Sequence, residues 1–111
     1  MGPEHADELL ANLVELKSAD ARRRFRASIH EQWDGCAYCG MSTTAPTIDH
    51  IRAKAKGGDS SRSNLCSCCL SCNRSKGTDD VWDWYHRQSF FCEQRKDRLL
   101  AWMQVRVLEA A

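Results

Sequence analysis

The sequence predicts an α+β fold in which a β-hairpin and a short helix sit between two cysteine pairs, with further helices on both sides. Three observations predict it. Cys36 and Cys39 form one Cys-x2-Cys pair, and the run LCSCCLSCN supplies another about thirty residues later. Between them, Thr47-Ile48-Asp49-His50-Ile51 has the β-branched alternation of a short strand. Apolar residues recur at helical spacing near both ends of the chain. The 111 residues read as one domain, 1–111, with N-terminal helices over 4–33, a core over 36–77 and C-terminal helices over 78–111.

Leu9, Leu10, Leu13 and Leu16 make the stripe of a first helix. Ser18 reads as the N-cap of a second, whose apolar stripe is Phe25, Ile29 and Trp33 and which Asp34-Gly35 ends. Arg22, Arg23, Arg24 and Arg26 cluster near its start, either as a solvated face or as a phosphate-contacting patch. After the strand, Lys56-Gly57-Gly58-Asp59 is a turn or loop, Asn64-Leu65 opens the return strand, and a helix runs from near Leu70 to just before Gly77. Thr78, Asp79 or Asp80 caps a helix through Val81, Trp82, Trp84 and Tyr85. A last helix carries Leu99, Leu100, Trp102, Met103 and Val107. These stripes read as core, with base stacking by Trp82 or Trp84 as the minority alternative.

Seven cysteines in a chain of this size suggest a metal rather than disulfides, because the number is odd and the opening MGPEHADELL has no signal-peptide pattern. Two Cys-x2-Cys pairs give the four soft ligands of a tetrahedral structural Zn²⁺. A redox pair would explain only one knuckle. Cys66/Cys69 and Cys69/Cys72 both have the required spacing, so spacing alone leaves the second pair open. No stretch approaches the roughly 20 apolar residues of a membrane span, and a soluble intracellular protein is the default expectation.

Charge is focused. The chain totals +1, yet from His50 to Gly77 Arg52, Lys54, Lys56, Arg62, Arg74 and Lys76 face only Asp59. That distribution fits a phosphate backbone, and DNA is the expected partner.

The stretches CAYCG, TIDHI, GGDSSRSNL and CLSCNRSKG, in that order, resemble the HNH endonuclease family, in its zinc-containing branch with a ββα-metal site. The resemblance spans roughly 36–77. It implies a metal-dependent DNA endonuclease or nickase, encoded by a bacterium or phage and working in the cytoplasm. It implies His50 as the general base, Asp49 and Asn73 as ligands of a catalytic Mg²⁺ or Mn²⁺, and Cys36, Cys39, Cys69 and Cys72 as the zinc ligands. Cys66, Cys68 and Cys92 are then packing thiols. Asn64 matches the middle residue of the motif, orienting His50 or bracing the loop, and Lys76 lies where it could contact the phosphate. Many relatives have His at the position of Asn73, and the neutral, hard amide moves the expected ion toward Mg²⁺ or Mn²⁺.

Read from the residues alone, Asn73 could instead be a helix cap and Asn64 a turn residue. His with its ordinary pKa near 6.5 suits proton abstraction at neutral pH, whereas His5, His30 and His86 read as structural or exposed. Strand alternation puts Asp49 and His50 on opposite faces unless the strand bends. The competing function is a non-catalytic zinc-knuckle DNA-binding or interaction module. One site cuts one strand, so double-strand cutting would require a homodimer or two binding events.

Overall fold

A computed structural model describes the backbone of residues 3–110 and the side chains of residues 17–104. Along the chain come α1 (Pro3–Trp33), β1 (Thr47–His50), 3₁₀ turns at Lys54–Lys56 and Arg62–Asn64, β2 (Leu65–Cys68), α2 (Leu70–Lys76), α3 (Val81–His86) and α4 (Glu93–Ala110). Among the described residues, no helix is long and apolar enough to cross a membrane.

The N-terminal region corrects one expectation. Ser18 caps nothing, because α1 runs without interruption for 31 residues. The segment Lys17-Ser18-Ala19-Asp20-Ala21 holds neither Gly nor Pro, and a capping residue type does not start a helix where the backbone has no reason to leave one. Ile29 and Trp33 of the expected stripe are buried, but Phe25 is 40% exposed because α1 has already run beyond the core there. Leu9, Leu10, Leu13, Leu16, Val107 and His5 lie outside the described side chains. The helix stops where Asp34 and Gly35 take positive φ values of 48° and 116°, a backbone that Gly adopts freely.

β1 and β2 form an antiparallel pair with Thr47 opposite Cys68, Ile48 opposite Ser67, Asp49 opposite Cys66 and His50 opposite Leu65. Directly opposed residues share a face. Thr47, Asp49, Cys66 and Cys68 therefore face one way, and Ile48, His50, Leu65 and Ser67 the other. On the first face lies α2, whose Asn73 Nδ2 donates to Thr47 Oγ1 at 2.9 Å and whose Lys76 Nζ lies 3.0 Å from Asp49 Oδ2. On the second lies α1, with His30 Nδ1 and Ser67 Oγ 2.6 Å apart. Trp102 of α4 closes the hairpin's far end, its Nε1 donating to the carbonyls of Arg62 and Leu65.

The core draws on α1, the first knuckle, β2, α3, α4 and the residue after β1: Ile29, Trp33, Tyr38, Ile51, Leu65, Val81, Trp84, Tyr85 and Leu99 are all buried. Tyr38 meets Trp84 and Tyr85 edge-on, with centroids 5.1 and 5.7 Å apart. Asp80 caps α3, accepting from the backbone of Trp82 and Asp83. Trp84 is buried and donates to Ser75 Oγ. Trp82 packs on the edge of the core with the Lys96 ammonium over its ring.

The loop between the strands depends on a close approach. A Cβ on Gly58 would lie 1.8 Å from the Arg52 carbonyl oxygen. Gly58→Ala should therefore destabilise the protein by roughly 1–3 kcal/mol through forced backbone displacement. Thermal unfolding checks this, and an unchanged melting temperature would mean that the loop is not held as described.

Candidate functional site

The four sulfurs of Cys36, Cys39, Cys69 and Cys72 all lie within 4.8 Å of one another. Zn–S bonds of about 2.3 Å in a tetrahedron place sulfurs about 3.8 Å apart, and Cys39 Sγ and Cys69 Sγ are 3.8 Å apart. Each pair is shaped as a knuckle: the Cys39 amide donates to Cys36 Sγ at 3.5 Å, and the Cys72 amide to Cys69 Sγ at 3.4 Å. Gly40, with φ 77°, closes the first turn by donating to the Cys36 carbonyl. Cys69 caps α2, so the start of that helix and the second knuckle are one structure.

The protonation of these thiols fits a metal site. A hydrogen bond from Cys72 holds the Cys36 thiol down to about 4, and that same bond together with burial pushes Cys72 up. Burial also raises Cys39. Crowded thiols resist losing all their protons by themselves, and a divalent cation removes the conflict by stabilising every thiolate.

The same geometry decides the open register. Cys66 and Cys68 belong to β2 and point into the core with no exposure. Burial raises the Cys66 thiol well above its ordinary range and pushes Cys68 up to about 12. Both are packing thiols. Cys92 is not one of them; it is half-buried just ahead of α4 and stands outside the core cluster.

Asp49 is 6% exposed. Its Oδ2 accepts from the Tyr38 hydroxyl at 2.6 Å and pairs with Lys76 Nζ at 3.0 Å. The Lys76 side chain is completely buried and also donates to the His50 carbonyl at 2.8 Å. Lys76 thus lies beneath the surface instead of projecting toward a phosphate.

His50 is the last residue of β1, half-buried, with Nε2 3.0 Å from Ser60 Oγ. Burial lowers its pKa below the ordinary 6.5; Lys54 and Lys76 push it the same way, while Asp49 and Asp59 oppose. The alternation persists to the strand's end, so the imidazole lies on the opposite face from the Asp49 carboxylate and feels it only through space. Asn73 lies in the second turn of α2, not at its cap, with Nδ2 turned to Thr47.

Asn64 is buried and braces the loop. Its Oδ1 accepts from the Arg52 amide, while Nδ2 donates to the carbonyls of Arg52 and Asp59. The side chain continues the β-ladder past Ile51, whose amide bonds to the Asn64 carbonyl. It makes no hydrogen bond to His50. Arg52, Lys54, Lys56, Arg62 and Arg74 are all exposed. Arg62 is also committed structurally, donating to Ser28 of α1 and stacking on Trp102. Sequence reasoning passed over Tyr38. A tyrosine inside a knuckle is a usable signal, because it must place a hydroxyl somewhere beside the metal ligands.

The order of parts is now clear: a cysteine knuckle, a strand ending in Asp-His, a braced loop, a return strand, and a short helix opened by the second knuckle. Residues 36–79 match the HNH endonuclease family. The chain is also similar to the CRISPR-associated endonuclease Cas9 of Corynebacterium diphtheriae, 38% identical over 60 residues. The alignment covers 51% of this chain and 6% of that relative, so the chain spans a small fraction of the relative's length. No solved structure matches.

Two outcomes follow. Cys72→Ser should lose bound zinc, whereas Cys66→Ser should keep it, as measured by metal content of the purified proteins; the opposite pattern would overturn the Cys69/Cys72 register. Lys76→Met should cost about 3–5 kcal/mol by leaving the buried Asp49 charge without its partner. Joint replacement of Asp49 and Lys76 by apolar residues should cost much less, and chemical denaturation of the three variants measures the difference.

Proposed function

We propose that the HNH segment is the catalytic core of a metal-dependent DNA endonuclease or nickase, with His50 as general base. The observation that carries this reading is the His50 imidazole. It stands at the end of β1 in the matched segment, partly open to solvent, anchored by Ser60 and biased toward its neutral form. With Nε2–H donating to Ser60 Oγ, the Nδ1 lone pair accepts a proton from water. The resulting hydroxide attacks phosphorus, the bond to the 3′ oxygen breaks, and that oxygen takes a proton from solvent.

Asp49 and Asn73 would hold the catalytic ion. Asp49 Oδ2 is engaged, but its Oδ1 and Asn73 Oδ1 accept no hydrogen bond among the described residues. One carboxylate and one amide oxygen suit a hard ion such as Mg²⁺ or Mn²⁺. When bound, such an ion supplies positive charge at the phosphate and the leaving oxygen. Lys76 serves as a positioning residue in this reading, tying Asp49 to the backbone of His50. Cys36, Cys39, Cys69 and Cys72 hold the structural Zn²⁺. Arg52, Lys54, Lys56 and Arg74, with Arg62 beside them, contact the DNA backbone. The bacterial relative fits a bacterial or phage-encoded protein working in a reducing cytoplasm, where the thiols stay available to metal.

One observation favours a second reading. Asp49 already has a structural use that needs no catalytic ion, as expected of a zinc-knuckle DNA-binding or interaction module.

Plasmid cleavage by zinc-loaded protein separates the two. Cutting should require added Mg²⁺ or Mn²⁺, stop with EDTA, and fall at least about 100-fold in His50→Ala. The wild-type rate should rise with pH through a midpoint below 6.5 and then level off, because the reactive form is the neutral imidazole and its pKa is lowered. Correctly folded protein that never cuts would leave the binding module. Nicked versus linear product reports whether one strand is cut or two, and concentration dependence of linear product reports whether two copies cooperate.

A further inference from the structure

The arginine cluster of α1 lies outside the HNH segment, and the catalytic reading does not use it. Arg23, Arg26, Ala27 and His30 recur at i, i+3, i+4 and i+7, which places them on one face of the uninterrupted helix. That face forms one wall of a groove of about 520 Å³ whose other wall is the start of β1, at Thr47 and Ile48. Ala27 adds almost no bulk to the groove. His30 is fixed at its side by the bond to Ser67.

The groove is aligned with the candidate base. Ile48 and His50 share a face of β1, and two strand residues span about 6.8 Å. After Ile48, the next residue on the same face of β1 is His50. Among the described residues, no carboxylate lines the groove. Asp20, one turn away, pairs with Arg23 and Arg24 in exposed contacts at 3.5 and 3.1 Å, which a phosphate can displace. Arginine carries a permanent charge and a fork of donors that matches phosphate.

We propose that this α1–β1 groove is a second nucleic-acid contact, seating the sugar–phosphate backbone of the DNA strand that His50 acts on, through Arg23 and Arg26. The proposal rests on the nuclease reading for what happens at His50, but its contact is a binding site that can be tested alone. It also gives α1 a role: a positive wall beside the face of β1 that carries Ile48 and His50.

The test is the salt dependence of binding to a short DNA duplex, followed by fluorescence anisotropy. All proteins carry His50→Ala so that the DNA stays intact. Each lost phosphate contact lowers the log–log salt slope by about 0.9. Adding Arg23→Gln and Arg26→Gln should lower it by about 1.8, so that the loss of affinity between 50 and 200 mM salt becomes roughly tenfold smaller. Arg22→Gln with Arg24→Gln removes the same charge from the same helix outside the groove, and should change the slope by less than about 0.5. Circular dichroism and zinc content confirm that each variant is folded. An unchanged slope in the Arg23/Arg26 variant, an equal change in both pairs, or no DNA binding at all would each overturn the proposal. Plasmid cutting by the His50-containing chain is scored separately. Cutting without the Arg23/Arg26 effect leaves the nuclease and removes the groove; the effect without cutting leaves the groove and removes the nuclease.

Discussion

The convergence of Cys36, Cys39, Cys69 and Cys72 is the constraint on which the rest of the structure depends. Two strands of four residues each are too short to be stable alone in water, and α2 has only seven residues, well below the length at which an isolated helix persists. Closing the chain from residue 36 to residue 72 through one four-sulfur cluster supplies what local propensity does not. A metal bound there would add its binding free energy to the folded state, and the cluster sets the angle at which α2 leaves the hairpin, because Cys69 is both a cluster member and the helix cap.

From that cluster the constraint passes inward through Tyr38. The residue stands between the two cysteines of the first knuckle. Its carbonyl accepts from the Tyr85 hydroxyl at 2.6 Å and its own hydroxyl donates to Asp49. Asp49 pairs with Lys76, and Lys76 holds the His50 carbonyl. A continuous polar line thus runs from α3 through the knuckle to the backbone of the candidate base. Burying an ammonium and a carboxylate is a poor way to gain stability, since desolvation offsets much of the attraction. Its advantage is definition. An apolar pair could slide, whereas Lys76 must satisfy one carboxylate oxygen and one carbonyl, which fixes α2 against β1 in a single register.

Much of this was legible in the sequence, and the rest was hidden for physical reasons. The knuckles, the strand ending at His50 and the helix from Leu70 to Lys76 each follow from local rules of spacing, alternation and termination. The choice between Cys66 and Cys72 could not come from spacing, since both satisfy it. It follows from the return strand: Cys66 and Cys68 are i, i+2 partners facing the core, and Cys69 is the first residue free of the strand. A capping residue type such as Ser18 marks a helix start only where the backbone preference changes with it, and along α1 it does not. The Asp49–Lys76 pair was invisible because it joins positions 27 residues apart, and Lys76 taken alone reads as a surface cation. One clue was present. Asn73 and Lys76 lie one helical turn apart, Thr47 and Asp49 lie two strand residues apart, and two such pairs meet wherever a helix is laid along a strand.

The hairpin divides its work between two faces. One face carries Thr47, Asp49, Cys66 and Cys68 and packs against α2 and Tyr38. The other carries Ile48 and His50 and stays partly open, bordered by α1 and braced at its far end by Trp102. Residues outside the matched segment 36–79 shape this second face. Arg62 ties the loop to Ser28 of α1 and stacks on Trp102 of α4, while Trp33 and Trp102 meet edge-on at 5.6 Å. The flanking helices therefore do more than cover a core: by locking to one another through Arg62 and Trp102, they hold the wall beside His50 at a fixed distance from the strand. A substrate track built on such a wall depends on α4 as much as on α1, although none of the described side chains of α4 lines the groove.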